Sequence, residues 1–203
     1  MAVGDELLTG RTLDRHLLRV GRDLAGRGLT LASARVVSDD LEGLVEALGA
    51  EEASGTTHLI VTGGLGPTPD DRTRDALARW AGCGLVEDAG SRGTIEARVR
   101  ARGREVRPGD LRQALRPEAA ETLPNAVGTA PGLRLAMAGR MAVWVLPGVP
   151  AEFEAVWKEA VLPALVPLEN HHVALRILKT AGAGEREVAD RIEDLVPDAS
   201  GDV

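Results

Sequence analysis

Val61-Thr62-Gly63-Gly64-Leu65-Gly66-Pro67-Thr68-Pro69-Asp70-Asp71-Arg72-Thr73 carries the chain from an apolar run into a helical pattern. Leu59, Ile60 and Val61 read as a buried strand. Ala76, Leu77 and Trp80 recur at helical spacing, with Thr73 as the expected N-cap. A glycine-rich turn between strand and helix lets backbone approach a ligand and aims N–H groups at it, and the helix N-terminus adds partial positive charge. Such a nest suits an anion. Asp70 and Asp71 at its far end would repel that anion unless a divalent cation lay between. The plainer alternative is a tight turn in which Asp70 or Asp71 serves only the helix start.

Working outward, the N-terminal side alternates strand and helix. Ala2-Val3 is the stub of a first strand, too short for an ordinary one. Leu13, Leu17, Val20 and Leu24 mark a helix stopped by Gly26 and Gly28. Leu29 to Val37 reads as a strand, and Ser38-Asp39-Asp40 as the cap of a helix bearing Leu41, Leu44, Val45 and Leu48. His58 to Thr62 is the strand that delivers the turn. This is β-α-β-α-β-α, the pattern of a parallel sheet covered by helices.

Beyond the turn, Asp88 is a cap for a helix with Ile95 and Val99 inward, and Leu111 to Leu115 is a short helix. Leu133–Met137 and Met141–Leu146 form a hairpin around Ala138-Gly139-Arg140. Pro147-Gly148-Val149-Pro150 then opens a helix with Phe153, Val156, Trp157 and Val161, a second strand–glycine–helix turn and a second phosphate seat. Val173–Lys179 reads as a strand and Glu185–Leu195 as a helix with Val188, Ile192 and Leu195 inward. One strand and one helix do not bury a core, so this is the opening of another domain.

Composition narrows the function. The chain has 203 residues, 44% of them hydrophobic, with 24 basic and 31 acidic side chains and a net charge of −7. That balance points to small-molecule chemistry and away from nucleic acid. Three Trp, one Phe and no Tyr leave no base-stacking platform. The single cysteine, Cys83, rules out an internal disulfide and is compatible with a reducing cytoplasm. No apolar run reaches membrane-spanning length. His16, His58, His171 and His172 have no metal-site spacing, and the basic run Arg98–Arg104 reads as a solvated helix face.

Gly4-Asp-Glu-Leu-Leu8, Thr62-Gly-Gly-Leu-Gly-Pro-Thr68, Asp70–Thr73, Gln113-Ala114, Leu123-Pro-Asn-Ala-Val-Gly-Thr-Ala-Pro-Gly132 and Leu146-Pro-Gly-Val-Pro-Ala-Glu152 stand collinear. Together they resemble the N-terminal domain of the CinA (competence/damage-inducible) family, within the molybdopterin-binding superfamily of molybdenum-cofactor biosynthesis enzymes. The resemblance implies a three-layer α/β/α sandwich around a mostly parallel sheet over residues 1–167, with residues 168–203 as the start of a small α+β connecting domain. It also implies metal-dependent hydrolysis of the pyrophosphate in ADP-ribose or a similar nucleotide, and homo-oligomers. The family's second catalytic domain, a nicotinamide-nucleotide amidohydrolase, has no room here. By motif the two acidic positions that matter in the relatives fall on Asp39 and Asp71. The family's Asn-Thr-Asn-like element stands here as Asp14-Arg15-His16, and the first strand and second domain are short.

A pyrophosphate hydrolase needs phosphate donors, a bridging cation and a group that activates water. Gly63, Gly64 and Gly66 are the backbone donors, with Thr62, Thr68 and Thr73 adding hydroxyls. Asp71 with Asp70 or Asp39 holds a divalent metal ion through oxygen. Gly4 and Glu6 follow a strand end on the side where open α/β sheets take ligands. Asn125 and Thr129 sit in a small-residue loop that could meet a nucleoside, and Pro147 and Gly148 complete the set. The expectation is a cytoplasmic enzyme with a small nucleotide or pterin ligand and no nucleic-acid or membrane partner. The alternative is a binding domain of the same pocket without turnover.

Overall fold

Leu59 and Val61 face one side of the sheet and Ile60 the other, and both sides are apolar. That is the requirement of a strand buried between two helical layers. The computed structural model describes residues 1–165 and 179–193. The chain divides into a unit of Met1–Val173 and a unit of Ala174–Val203. In the first, the elements run β1 (Ala2–Val3), α1 (Asp5–Leu8), α2 (His16–Ala25), β2 (Val36–Val37), α3 (Leu41–Ala53), β3 (His58–Thr62) and α4 (Thr73–Ala81). Then come β4 (Leu85–Glu87), α5 (Ala89–Ala101), α6 (Pro108–Arg112), β5 (Leu115–Pro117), β6 (Ala120–Leu123), β7 (Gly132–Leu135), β8 (Ala142–Leu146) and α7 (Pro150–Val156). A π-helical turn, Trp157–Val161, leads into α8 (Leu162–Ala164). In the second unit α9 spans Glu185–Ile192, with an Arg191–Glu187 ion pair of 2.8 Å on its surface.

The main sheet has the order β2-β1-β3-β8-β7-β6. β2, β1, β3 and β8 are mutually parallel, and β7 is antiparallel to both its neighbours. Leu44, Leu48, Leu77, Val61, Val143 and Val145 pack on the face covered by α3 and α4. Val20, Leu24, Trp144, Phe153, Val156 and Trp157 pack on the face covered by α2 and α7. β4 and β5 form a separate antiparallel pair, near which α5 and α6 join through Ile95, Val99 and Ala114. The expected α/β architecture is therefore present. Because β1, β2, β3 and β8 run the same way, Gly4, Ser38-Asp39, Gly63 and Pro147-Gly148 all emerge at one edge of the sheet.

Several local expectations change. Of Leu29–Val37 only Val36–Val37 is strand, because its partner β1 is two residues long. Leu13 lies before α2 and is 81% exposed, since no element covers it. The short helix is Pro108–Arg112 rather than Leu111–Leu115, with Asp110 accepting from the Arg107 amide, and Leu115 opens β5. Thr73 is the first residue of α4, with Arg72 in the N-cap place, and its hydroxyl bonds Gly63 O at 3.0 Å. β4, β5 and β6 are three, three and four residues long and carry no strong alternation, so their sequence does not mark them as strands. The expected caps hold: Asp40 accepts from the Gly43 amide at 2.8 Å and Asp88 from the Ser91 amide at 2.7 Å. The strand at Val173–Lys179 falls outside the described residues except for Lys179, as does Leu195 of the last helix; Ile192 is exposed.

Candidate functional site

A cleft of about 1020 Å³ opens over the sheet edge where the parallel strands end. Gly4, Glu6, Asp39, Thr62, Gly63, Gly64, Gly66, Thr68, Asp70, Asp71, Thr129, Pro147 and Gly148 all line it. Its size is at the upper end for small-molecule pockets. Of the residues expected from sequence, Thr73 and Asn125 lie elsewhere. The Thr73 side chain is buried beneath the glycine turn, and Asn125 is buried in the next loop.

The glycine turn is held from within. Gly63 N–H bonds Leu146 O at 3.0 Å, and Gly64 O accepts from the Thr73 amide at 3.2 Å. Asp71 Oδ1 accepts from the Gly66 amide at 2.7 Å, while Oδ2 accepts from the Thr68 amide at 2.8 Å and the Thr68 hydroxyl at 2.6 Å. Asp71 thus folds the loop back on itself, and one lone pair, on Oδ1, stays uncommitted. From below, the Arg74 guanidinium donates to Leu65 O at 2.5 Å and Gly66 O at 3.2 Å, and Gln113 Nε2 reaches Leu65 O at 3.4 Å. Arg74 is 1% exposed, and burial lowers its pKa to about 10, so it remains cationic at neutral pH. The amides of Gly64, Leu65 and Asp70, all cleft residues, take no acceptor among the described residues.

The glycines have a second job. Gly63 and Gly64 hold φ of 101° and 67°, open to glycine at little cost. A β-carbon on Gly64 would run into the Thr73 hydroxyl, and one on Gly66 into Asp71. At Gly148 the nearest atom to such a carbon is the Gly63 Cα at 3.5 Å, ordinary contact. The floor is therefore tight on the β3 side and roomier on the β8 side.

The cleft is acidic. Glu6, Asp14, Asp39, Asp70, Asp71 and Glu152 line it, against Arg11 and Arg15. Asp39 is half-buried and accepts from the Asp5 amide at 3.1 Å, while Asp5 in turn accepts from the Ser38 hydroxyl at 2.7 Å. Burial pushes the Asp39 carboxyl above its ordinary range. The charges of Glu6, Asp5 and Asp71 push the same way, against the Asp5 amide. No three carboxylate, histidine or cysteine side chains among the described residues stand gathered as a metal set. This donor chemistry fits a hard cation that arrives with phosphate oxygens and takes only one or two carboxylates from the protein.

The far wall comes from residues that sequence reasoning used lightly. Asn125 Nδ2 donates to Ala130 O at 2.8 Å and Glu152 Oε2 at 2.6 Å, and its Oδ1 accepts from the Val127 and Gly128 amides at 3.0 and 2.9 Å. Asn125 is thus a brace for the loop rather than a free ligand contact, and it sets Thr129 in the cleft wall. His16 stacks on Phe153 with centroids 4.1 Å apart, and its Nε2 lies 2.9 Å from Gly148 O. Arg74 was missed altogether, although its spacing from Leu77 and Ala78 puts it on the buried side of α4.

A mostly parallel sheet with a polar cleft across its strand ends, floored by two glycine turns, defines an α/β protein whose candidate site is that edge. The model of the family described as "Probable molybdopterin binding domain" matches residues 1–166. CinA-like proteins of Deinococcus deserti and of a Synechococcus strain are 38% and 39% identical over 200 residues, covering 98% and 97% of this chain. Those alignments take in 49% and 47% of the relatives, so the chain spans about half the length of the curated relatives it matches. The crystal structure of the protein CinA from Thermoplasma acidophilum, 35% identical, superposes with a TM-score of 0.70 over 77% of this chain and 90% of that one. MoaB from Thermus thermophilus, at 23% identity and a TM-score of 0.51 over 81% of this chain and 87% of that one, shares the fold. The chain belongs to the molybdopterin-binding domain family, among its CinA-like members. No helix among the described residues is long and apolar enough to cross a membrane.

Proposed function

We propose that this cleft binds a nucleotide carrying a pyrophosphate, ADP-ribose or a close analogue, and hydrolyses it with the help of a divalent cation. The observation that carries the reading is the pairing, in one cleft of about 1020 Å³, of uncommitted amides in the glycine turn with a carboxylate crowded by other acids. The Gly64 and Leu65 amides donate to phosphate oxygens, and Arg11 and Arg15 at the rim balance part of the ligand's charge. Asp39, with its raised pKa, is the group suited to take the proton of the attacking water. Thr129 and the backbone at Pro147-Gly148 border the space left for the sugar and base. Asp70 and the remaining lone pair of Asp71 would hold the cation, which when bound neutralises phosphate charge and lowers the pKa of water. The protein is then a cytoplasmic hydrolase acting on a small ligand.

A second reading, a nucleotide- or pterin-binding domain without turnover, is favoured by one observation. Most amides of the glycine turn are spent inside the protein, as in a rigid receptor. The two part in a single experiment. ADP-ribose is incubated with and without Mg²⁺, AMP and ribose 5-phosphate are quantified, and the same pair is titrated calorimetrically. Hydrolysis is expected only with the cation. Binding heat without products in either condition selects the receptor, and neither heat nor products overturns the hydrolase and the receptor for this nucleotide alike.

A further inference from the structure

Arg74 is the second residue of α4 and is 1% exposed. Its position is costly twice over, because burial disfavours any charge and this end of a helix already carries partial positive charge. A buried cation is ordinarily met by a carboxylate in direct contact. Arg74 has no such pair among the described residues; it donates to carbonyl oxygens instead, Leu65 O at 2.5 Å and Gly66 O at 3.2 Å. The carboxylates whose charge reaches it across space are Asp71 and Asp75. Asp75 faces Arg112 at 3.5 Å, and Asp71 takes three donors of the loop. The Arg74 Nε is buried with no acceptor among the described residues.

The carbonyls that Arg74 holds belong to the floor of the cleft. In a trans peptide the N–H points away from the C=O, so whatever draws the carbonyls of the turn inward aims the amides of the same peptides outward. The Thr73 hydroxyl takes Gly63 O at 3.0 Å, and the Thr73 amide takes Gly64 O at 3.2 Å. The amides on the far side of those two peptides are those of Gly64 and Leu65, which have no acceptor. Arg74 takes the next two carbonyls, and Gln113 Nε2 shares Leu65 O at 3.4 Å. The Leu65–Gly66 peptide is thereby polarised, with a guanidinium on its oxygen and the Asp71 carboxylate on its N–H. The carbonyls from Gly63 to Gly66 are all taken by the first turn of α4, and the cation lies behind the peptides that floor the cleft.

We propose that Arg74 is a positioning residue for the ligand's phosphate: its charge, acting through the turn, completes an oxyanion seat at the Gly64 and Leu65 amides, and the phosphate is the counter-charge it lacks within the protein. The assignment rests on the reading of the cleft as a pyrophosphate site and places the anion's seat within it. In a floor from which water is excluded, such a charge acts over a distance at which bulk solvent would screen it. Arg11 and Arg15 are exposed, so salt weakens their pull, whereas Arg74 is sheltered from it.

The test compares Arg74→Lys and Arg74→Gln with the parent in the full chain. Each replacement carries one nitrogen donor group in place of the guanidinium fork, and only lysine brings a charge. Three quantities are read: the calorimetric affinity for inorganic pyrophosphate with Mg²⁺, a thermal melt of each protein, and the nitrogen resonance of Arg74 Nε in the parent during the same titration. Arg74→Lys is expected to bind within about threefold of the parent and Arg74→Gln ~10–100-fold more weakly, the worth of one charge-assisted contact. The Nε signal, protected by burial, is expected to shift as pyrophosphate saturates the parent, a result that stands even where a variant fails to fold. Folded Lys and Gln variants of equal affinity would make Arg74 a brace alone and overturn the proposal, as would pyrophosphate binding that leaves the Nε resonance unmoved. A parent that does not bind pyrophosphate overturns the seat and the nucleotide reading together. Charge-dependent pyrophosphate binding without hydrolysis of ADP-ribose upholds the seat and removes only the hydrolase.

Discussion

Two strand–glycine–helix turns meet at the floor of the cleft, and they use glycine for different reasons. In the turn after β3, Gly64 lies against Thr73 and Gly66 against Asp71, and both oxygens of Asp71 accept from the loop. In the turn after β8, Gly148 has only the Gly63 Cα at ordinary distance, and His16 reaches its carbonyl. The first turn is a scaffold shaped by its own side chains; the second leaves its surface to whatever enters the cleft. A glycine-rich motif therefore locates a site without saying which glycine the ligand approaches. Only the packing behind each turn tells the two roles apart.

Substitutions sharpen the contrast, taken here from the largest expected loss of stability to the smallest. Gly64→Val puts a branched side chain at a φ of 67° and into Thr73, so strain and overpacking add to roughly 3 kcal/mol or more. Urea unfolding should show it, and ligand binding should be lost along with the loop. A variant as stable as the parent would mean that the turn is not a scaffold.

Asp71→Asn replaces an acceptor of three donors by a group with a single acceptor oxygen, leaving an amide or hydroxyl unpaired at a cost of about 1–3 kcal/mol. A helix cap alone would predict almost no change, because Asn caps about as well as Asp. A thermal melt of parent and variant decides between scaffold and cap.

Gly148→Ala is expected to shift stability by less than about 0.5 kcal/mol, since the added carbon meets only ordinary contact. It should still weaken ADP-ribose binding by about tenfold, or ~1.4 kcal/mol. Unchanged affinity would remove the second turn from the ligand site.

What the sequence disclosed follows the same division. The strand His58–Thr62, the glycine turn, the caps Asp40 and Asp88 and the β7–β8 hairpin were legible because each is fixed by neighbours along the chain. Asn125 and Glu152 were visible as motif residues, but their mutual bond, spanning a loop and a helix, was not. Arg74 has no place in the sequence motifs, although the fold puts it under Leu65 and Gly66. The strand over Leu29–Val37 failed for a related reason: strand sequence alone makes no ladder without a partner, and β1 supplies two residues.

Asp39 supplies the pH dependence. Its carboxyl is raised in the folded chain, so the burial and crowding of its charge cost stability, and that cost is relieved as pH falls through the raised pKa. Asp39→Asn should therefore leave the melting temperature at neutral pH unchanged or higher. Turnover, which needs the ionised form, should rise with pH through a limb lying above the ordinary ~3.9 of an aspartate.

The most direct measurement is the initial rate of AMP release from ADP-ribose across Mg²⁺ concentration and pH, for parent and Asp39→Asn, beside their melts. The expected result is a folded variant at least as stable as the parent, slower by ~10²–10⁴-fold at every cation concentration, and without the acid limb. A folded variant with parental rate and the same limb would contradict the assignment of this cleft as a hydrolase site built around Asp39.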